Sequence, residues 1–177
     1  MTDTKLTAGQ KFPETIVPLA AGGELTFGVS DSNMDRWQLV IVYRGKHCPI
    51  CMRYLAQLES LKSDFDVAGV DVVAVSGDGF EKTSAVVEEH NLTFPVGYDL
   101  SIDQMKALGL YISDPRSPKE TDQPFPEPGL FVLRPDGIIQ IIDISNAPFS
   151  RPELGAILRG IRFIWENDYP IRGTHAA

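Results

Sequence analysis

The apolar residues of this chain fall into short runs and helical stripes that alternate along the sequence. Residues 38–43 and 70–75 are nearly continuous apolar runs, which are typical of strands buried on both faces of a sheet. Between these runs, apolar side chains recur at helical spacing over residues 49–65. The pattern therefore predicts a strand, a helix and a second strand in succession.

The rest of the chain continues this alternation. The remaining predicted elements are a hairpin of 15–17 with 24–27, helices over 80–90 and 101–108, a strand over 94–98, a hairpin of 130–133 with 138–142, and a helix over 151–166. Such an order predicts an α/β fold: a central mixed sheet flanked by helices, with an N-terminal hairpin and a middle insertion at 80–108. We expect one domain over residues 1–177, with 1–8 and 168–177 as candidate flexible termini.

Three features of the sequence allow more than one interpretation. Residues 111–128 contain five prolines, which predicts a long irregular loop that is either functional or disordered. Asp78 precedes the helix at 80–90 and is a candidate cap for it. Trp165 and the apolar face of the last helix fit core packing better than an interface between copies, although a homodimer is a candidate assembly.

Charge and termini narrow the function classes. The 177 residues carry a formal net charge of −8, which argues against nucleic acid and anionic membranes as partners. The first ten residues are polar and do not resemble a secretory signal, and no apolar run is long enough to span a membrane. We therefore expect a cytoplasmic protein, unless a leader has been lost from this sequence.

The two cysteines, Cys48 and Cys51, are three residues apart where the first buried strand gives way to the first long helix. Cys48 is expected near the helix N-cap, with Pro49 in the first turn, and the free N–H groups there stabilise a thiolate. Arg44, Lys46 and His47 add positive charge just before it, and Cys51 lies one turn along, within reach of a disulfide. This arrangement predicts a redox-active dithiol in which the reactive sulfur reaches solvent at the helix entrance.

Other roles for the two cysteines have less support in the sequence. A structural bridge this short would close almost no loop, and structural disulfides are rare in the cytosol. Zinc needs about four ligands, and this chain has no second cysteine pair or clustered histidines, so we expect neither a metal nor another cofactor. His47 is either a general base or, more simply, a solvated histidine that acts by charge alone. Tyr43 and Tyr54 are expected to pack in the core.

The segment from Leu39 to Cys51, with its Tyr-Arg-Gly-x-x-Cys-Pro-x-Cys core, resembles the alkyl hydroperoxide reductase/thiol-specific antioxidant (AhpC/TSA, redoxin) family, in a peroxiredoxin-like branch. The similarity runs over about residues 8–166 and includes the hairpin at 130–137. It implies a thioredoxin-like fold and the reduction of peroxides or disulfides with electrons from a thiol donor such as thioredoxin or glutathione.

The sequence departs from that family at the reactive loop. Peroxiredoxins resemble one another in a Pro-x-x-x-Thr-x-x-Cys loop. If Cys51 takes the place of the reactive cysteine, Cys48 and Arg44 stand at the threonine and proline positions; if Cys48 does, Gly45 and Ile41 stand there. Neither register supplies the threonine hydroxyl. Arg44 is a candidate guanidinium for the thiolate.

Pro128 is the remaining candidate site residue. Thioredoxin-type folds resemble one another in a proline, often cis, just before the strand that faces the dithiol, and Pro128 immediately precedes such a strand. A cis bond there would leave backbone groups free to meet an extended substrate. In the family, the same position carries an arginine, and the residue before the first cysteine, here His47, is commonly tryptophan.

These observations lead to one hypothesis and its rivals. A thiol-dependent oxidoreductase would reduce peroxides or disulfides through a cycle of Cys48 and Cys51, supported by Arg44, His47 and Pro128. The alternatives are a general protein disulfide reductase without peroxidase activity, and a non-catalytic redox-sensing module or zinc-bridged dimer.

Overall fold

The computed structural model of the protein describes residues 5–28 and 35–175. The helices and strands run in the order β1 (Thr15–Pro18), β2 (Glu24–Phe27), β3 (Trp37–Val42), α1 (Pro49–Val67), β4 (Val70–Val75), α2 (Phe80–Glu89), β5 (Val96–Gly97), α3 (Ile102–Ala107), β6 (Ile112–Ser113), β7 (Phe125–Pro126), β8 (Gly129–Leu133), β9 (Ile139–Ile144) and α4 (Leu154–Asn167).

The five-stranded central sheet has the order β5-β4-β3-β8-β9. The pairs β5–β4 and β4–β3 are parallel, whereas β3–β8 and β8–β9 are antiparallel. The parallel half arises because α1 and α2 cross over between successive strands, and the antiparallel half arises from the β8–β9 hairpin. The predicted mixed sheet, flanked by helices, is confirmed.

The central strand β3 shows why the apolar run at 38–43 is continuous. Leu39 and Ile41 face a core shared with α1 and α4, while Val40 and Val42 face a second core on the opposite side of the sheet. Successive strand residues point to opposite faces, so a strand covered on both sides is apolar throughout. This strand leads directly into the loop that carries the cysteines.

The stretch at 80–108, expected to be an insertion between two halves, also extends the sheet. β5 lies within it and pairs in parallel with β4, through Ala74 with Val96 and Val75 with Gly97. The predicted N-terminal hairpin, β1 with β2, is confirmed, and Leu19, just after β1, forms a bridge to Gly97 at the same sheet edge.

The proline-rich segment is more ordered than the sequence suggests. It contains a small antiparallel hairpin, β6 with β7, that the prediction of an irregular loop missed. Gln123 donates a side-chain hydrogen bond to the carbonyl of Gly77, and Lys82 of α2 forms an ion pair with Asp122. Non-local pairing of two-residue strands leaves no periodic signal in the sequence, which is why it was missed.

The last helix, α4, begins three residues later than predicted. Glu153 is its N-cap and accepts hydrogen bonds from the N–H groups of Gly155 (2.8 Å) and Ala156 (2.7 Å). Trp165 is 45% exposed and packs edge-on against Trp37, with ring centroids 5.6 Å apart. The homodimer stays a prediction.

Residues 1–4 and 176–177 of the predicted flexible termini lie outside the described residues, whereas Leu6 is buried. Within the described part of the chain, no helix is both long and apolar enough to cross a bilayer.

Candidate active site

Cys48 occupies the junction between β3 and α1. It is the N-cap of α1, with extended backbone (φ −104°, ψ 100°), and Pro49 follows in the first turn, as the sequence predicted. Its Sγ accepts a hydrogen bond from the backbone N–H of Cys51 at 3.3 Å. A sulfur in this position meets the positive end of the helix, which favours its anionic form.

The two cysteine thiols have different pKa values. The side chain of Cys51 donates a hydrogen bond to Cys48, and this bond, with the Cys51 backbone N–H and the Arg44 guanidinium, lowers the pKa of Cys48 to about 6 against the opposing effect of burial. The same bond and burial raise the pKa of Cys51 well above its ordinary value, although Arg151 opposes that rise. Near neutral pH the pair therefore holds one proton, and Cys51 carries it.

Contrary to the prediction, both cysteines are buried. Cys48 is only 2% exposed and Cys51 is fully buried, and both are free thiols. The expectation of a solvent-exposed reactive sulfur is wrong. The loop that leads to Cys48 is held against β4, where the N–H of Tyr43 donates to the carbonyl of Val75 at 3.0 Å, and against β7, where His47 packs on Phe125.

Arg44 lies beside the reactive sulfur, where the sequence suggested a guanidinium. Its charge and a side-chain hydrogen bond both act to lower the pKa of Cys48. The guanidinium also lies over the ring of Phe125, 4.7 Å from its centroid, and its Nε is 3.1 Å from Oε2 of Glu127. Lys46 contributes less to the site, because its ammonium pairs with Glu89 of α2.

His47 does not act as a solvated charge. Its ring packs edge-on against Phe125, with centroids 4.5 Å apart, and burial lowers its pKa. A neutral, half-buried imidazole therefore stands beside Cys48, and the prediction of a solvated histidine is wrong. Neither ring nitrogen forms a hydrogen bond within the described residues, so no partner orients it as a base.

Asp78 is not the cap of α2, contrary to the sequence prediction. Gly79 is the N-cap, without a side-chain bond, and Asp78 instead accepts a hydrogen bond from the N–H of Lys46 at 2.7 Å. This contact explains Gly45, whose φ is +141°: a Cβ there would lie 2.9 Å from both carboxylate oxygens of Asp78. The buried Asp78 thus fixes the path of the loop before Cys48.

Arg151 is the site residue that the sequence analysis missed. Its Nη2 donates a hydrogen bond to Sγ of Cys51 at 3.1 Å, while its guanidinium lies 4.7 Å from the ring centroid of Tyr54. Tyr54, expected only to pack, also donates a hydrogen bond to the carbonyl of Pro152 at 2.7 Å. The one signal was an arginine at the first position of a predicted helix, and nothing local linked it to a cysteine 100 residues away.

Pro128 lies immediately before β8, as predicted, but its role as a cis docking element is not found. All peptide bonds among the described residues are trans. The N–H of Glu127 donates to the carbonyl of Tyr111 at 2.8 Å, and the carbonyl of Pro128 accepts from Ser145 at 3.0 Å. These backbone groups are therefore occupied rather than free for an extended substrate. Pro128 instead packs near Tyr54 and Arg151, around a void of about 10 Å³.

Among the described residues, no three histidine, cysteine or acidic side chains are grouped so that they could hold a metal ion. What the arrangement can do is thiol chemistry. The lowered pKa of Cys48 favours its thiolate, the raised pKa of Cys51 favours its thiol, and Arg151 donates a hydrogen bond to Cys51.

We expect alkylation to distinguish the two cysteines by pH. The rate at which iodoacetamide modifies Cys48 should rise with pH through a midpoint near 6, because the thiolate forms above that pH. Cys51 should stay unmodified until strongly alkaline pH. Peptide mass spectrometry at each pH measures both rates, and a Cys48 midpoint at the ordinary thiol value would contradict the polarity of the pair.

Comparison with known proteins identifies the family of this chain. The model of the AhpC/TSA family matches residues 8–142, about three quarters of the chain. The chain belongs to the AhpC/TSA family. A Mycobacterium tuberculosis protein provisionally named a peroxiredoxin is 30% identical over 108 residues, which cover 61% of this chain and 67% of the relative. The thiol-disulfide oxidoreductase ResA of Halalkalibacterium halodurans is 30% identical over 67 residues, 37% of this chain and 38% of ResA.

Solved structures extend the likeness of this AhpC/TSA protein to the fold. A peroxiredoxin-like protein from Aquifex aeolicus superposes with a TM-score of 0.74 at 18% identity, covering 89% of this chain and 87% of that one. The peroxidoxin BcpB of Mycobacterium tuberculosis gives 0.73 at 16% identity, covering 90% and 98%. The predicted thioredoxin-like fold and family membership are confirmed, and the relatives support an oxidoreductase that acts through thiols.

Proposed function

We propose that this AhpC/TSA protein reduces its substrate through a dithiol–disulfide cycle in which Cys48 attacks and Cys51 resolves. The observation that carries the proposal is the place of Cys48 at the N-cap of α1, where its Sγ accepts a hydrogen bond from the Cys51 N–H at 3.3 Å and its pKa is lowered to about 6. A thiolate is the nucleophilic form of cysteine, and the neighbouring thiol is placed to displace whatever Cys48 has bound.

A small hydroperoxide is the substrate that burial favours. The Cys48 thiolate attacks one peroxide oxygen, so that an S–O bond forms as the O–O bond breaks, and the departing oxygen takes a proton and leaves as alcohol or water. Cys51 then attacks the sulfur of the sulfenic acid; water leaves and the disulfide closes. A donor dithiol of the thioredoxin type, or two glutathione molecules, supplies the two electrons that restore the pair. Such donors are abundant in the cytoplasm, where we place the protein.

A second candidate is the reduction of protein disulfides. The departure from the peroxiredoxin loop favours it, since neither register provides the threonine hydroxyl, and so does the similarity to ResA. Here Cys48 attacks a substrate sulfur to form a mixed disulfide, and Cys51 then expels the second substrate thiol. The 2% exposure of Cys48 requires local opening around the sulfur before a protein substrate can bind.

One experiment separates these candidates. The wild-type protein is given hydrogen peroxide, an alkyl hydroperoxide or insulin, each with a regenerating thiol donor, and donor oxidation is followed. We expect peroxide-dependent turnover that exceeds insulin reduction. Insulin reduction without peroxide turnover would select the disulfide reductase, and neither activity, with a redox-dependent change in a bound partner, would select a sensor.

A further inference from the structure

The proline-rich segment at 111–128 has one part that reaches the candidate active site. Phe125 of β7 contacts two residues of the cysteine loop: its ring lies under the Arg44 guanidinium, 4.7 Å from centroid to Cζ, and meets the edge of His47 at 4.5 Å. Both residues lie within four positions of Cys48. The segment therefore forms one wall of the site.

Glu127, two residues further on, is a buried carboxylate aimed at the same arginine. The residue is only 4% exposed. Its Oε1 accepts a hydrogen bond from the hydroxyl of Ser113 at 2.7 Å, and its Oε2 lies 3.1 Å from Nε of Arg44, in a charge contact. The backbone N–H of Glu127 is held by the carbonyl of Tyr111. The carboxylate is thus fixed on both its backbone and its side chain.

A buried carboxylate next to a thiolate would normally disfavour the anion on sulfur, because like charges repel. Here the Arg44 guanidinium meets the carboxylate, with Nε 3.1 Å from Oε2, and its positive charge also acts on Cys48. A long arginine side chain has many rotamers and gains hydration by pointing outward, so it stays beside the sulfur only if other groups hold it. Phe125 contacts the face of the guanidinium and Glu127 contacts its Nε edge, while the side chain and charge of Arg44 favour the anionic form of Cys48.

We propose that Glu127 is a positioning residue that, together with Phe125, holds the Arg44 guanidinium against Cys48 and thereby maintains the thiolate. The inference rests on the proposed function only in taking Cys48 as the reacting sulfur. It gives the proline-rich segment a role: residues distant in sequence from the cysteines set the reactivity of the first one. Glu127 acts through Arg44 and does not touch the substrate.

The test measures the pH midpoint of Cys48 alkylation by iodoacetamide in single and double variants. Glu127→Ala should raise the midpoint about as much as Arg44→Met does. For each pH unit by which the midpoint rises, alkylation at a pH below the midpoint should slow about tenfold. Glu127→Gln keeps an oxygen that can accept from Ser113 but loses the charge that faces Arg44, so its midpoint should lie between those of the wild type and Glu127→Ala. In the Arg44→Met background, Glu127→Ala should give no further rise in the midpoint and, because it removes a nearby negative charge, should lower it.

Asp122→Asn serves as the matched control, because it removes an acid of the same segment that pairs with Lys82 on the surface. Its midpoint should equal that of the wild type. The proposal is overturned if Glu127→Ala lowers the midpoint or leaves it unchanged, or if the shift is the same with and without Arg44. Should Glu127→Ala not fold, Phe125→Leu decides in its place: it must raise the midpoint, again only when Arg44 is present.

Turnover of peroxide and of insulin is measured separately on the same variants. If Glu127→Ala raises the midpoint but the wild type turns over neither substrate, this inference stands and the proposed function fails. If the wild type turns over a substrate but Glu127→Ala leaves the midpoint unchanged, the proposed function stands and this inference fails.

Discussion

Replacement of Cys48 with serine is expected to bring substrate-dependent donor oxidation down to the rate measured without protein, while the free energy of unfolding barely changes. The hydroxyl does not ionise near neutral pH, so the nucleophile is lost. Serine is also a preferred N-cap residue, and its oxygen can accept the Cys51 N–H that Sγ now accepts at 3.3 Å, so α1 should begin where it does now.

Cys51→Ser is the matched variant, and it should fail differently. Cys48 can still attack once, but no second thiol is present to close the disulfide, so the protein should consume about one equivalent of oxidant and stop. A sulfenic acid trapped on Cys48 by a dimedone-type probe, and detected by mass spectrometry, reports that state. Equal and sustained turnover in both serine variants would show that the dithiol is not the reacting group.

Loss of the Arg151 guanidinium should slow disulfide closure more than it slows the first attack. Its Nη2 donates to Sγ of Cys51 at 3.1 Å, in a buried place where the sulfur is otherwise hard to ionise. A hydrogen bond to a charged group contributes about 1.5–3 kcal/mol, which corresponds to roughly a 10- to 100-fold slower closure in Arg151→Met. Arg151→Lys keeps the charge and should fall between the two.

The measurement is a quenched-flow time course after one equivalent of oxidant, with sulfenic acid and disulfide counted by mass spectrometry. Arg159→Met is the control, since Arg159 is an exposed arginine of α4, the helix that follows Arg151, and forms an ion pair with the cap Glu153 at 3.6 Å. We expect its closure rate to match the wild type. If Arg151→Met closes the disulfide at the wild-type rate, the contact with Cys51 is structural only.

The roles of the two arginines show where sequence reasoning stops. Arg44 precedes Cys48 by four residues, so a tight loop after a strand was enough to place it near the sulfur. Arg151, just before α4, contacts Cys51, and Glu127, just after β7, contacts Arg44; both positions depend on how the sheet and helices stack. The same limit explains His47, whose burial comes from Phe125, 78 residues away.

Local patterns were sufficient for the elements and for the placement of the thiolate. Continuous apolar runs marked β3 and β4, the helical stripe marked α1, and Pro49 after Cys48 marked the N-cap, because each of these signals depends on neighbours within a few residues. The tertiary structure alone decided how deeply the sulfurs are buried, which side chains surround them, and that Asp78 holds the loop instead of capping α2. Those outcomes depend on packing between distant segments, and burial and charge contacts are set by that packing rather than by the local sequence.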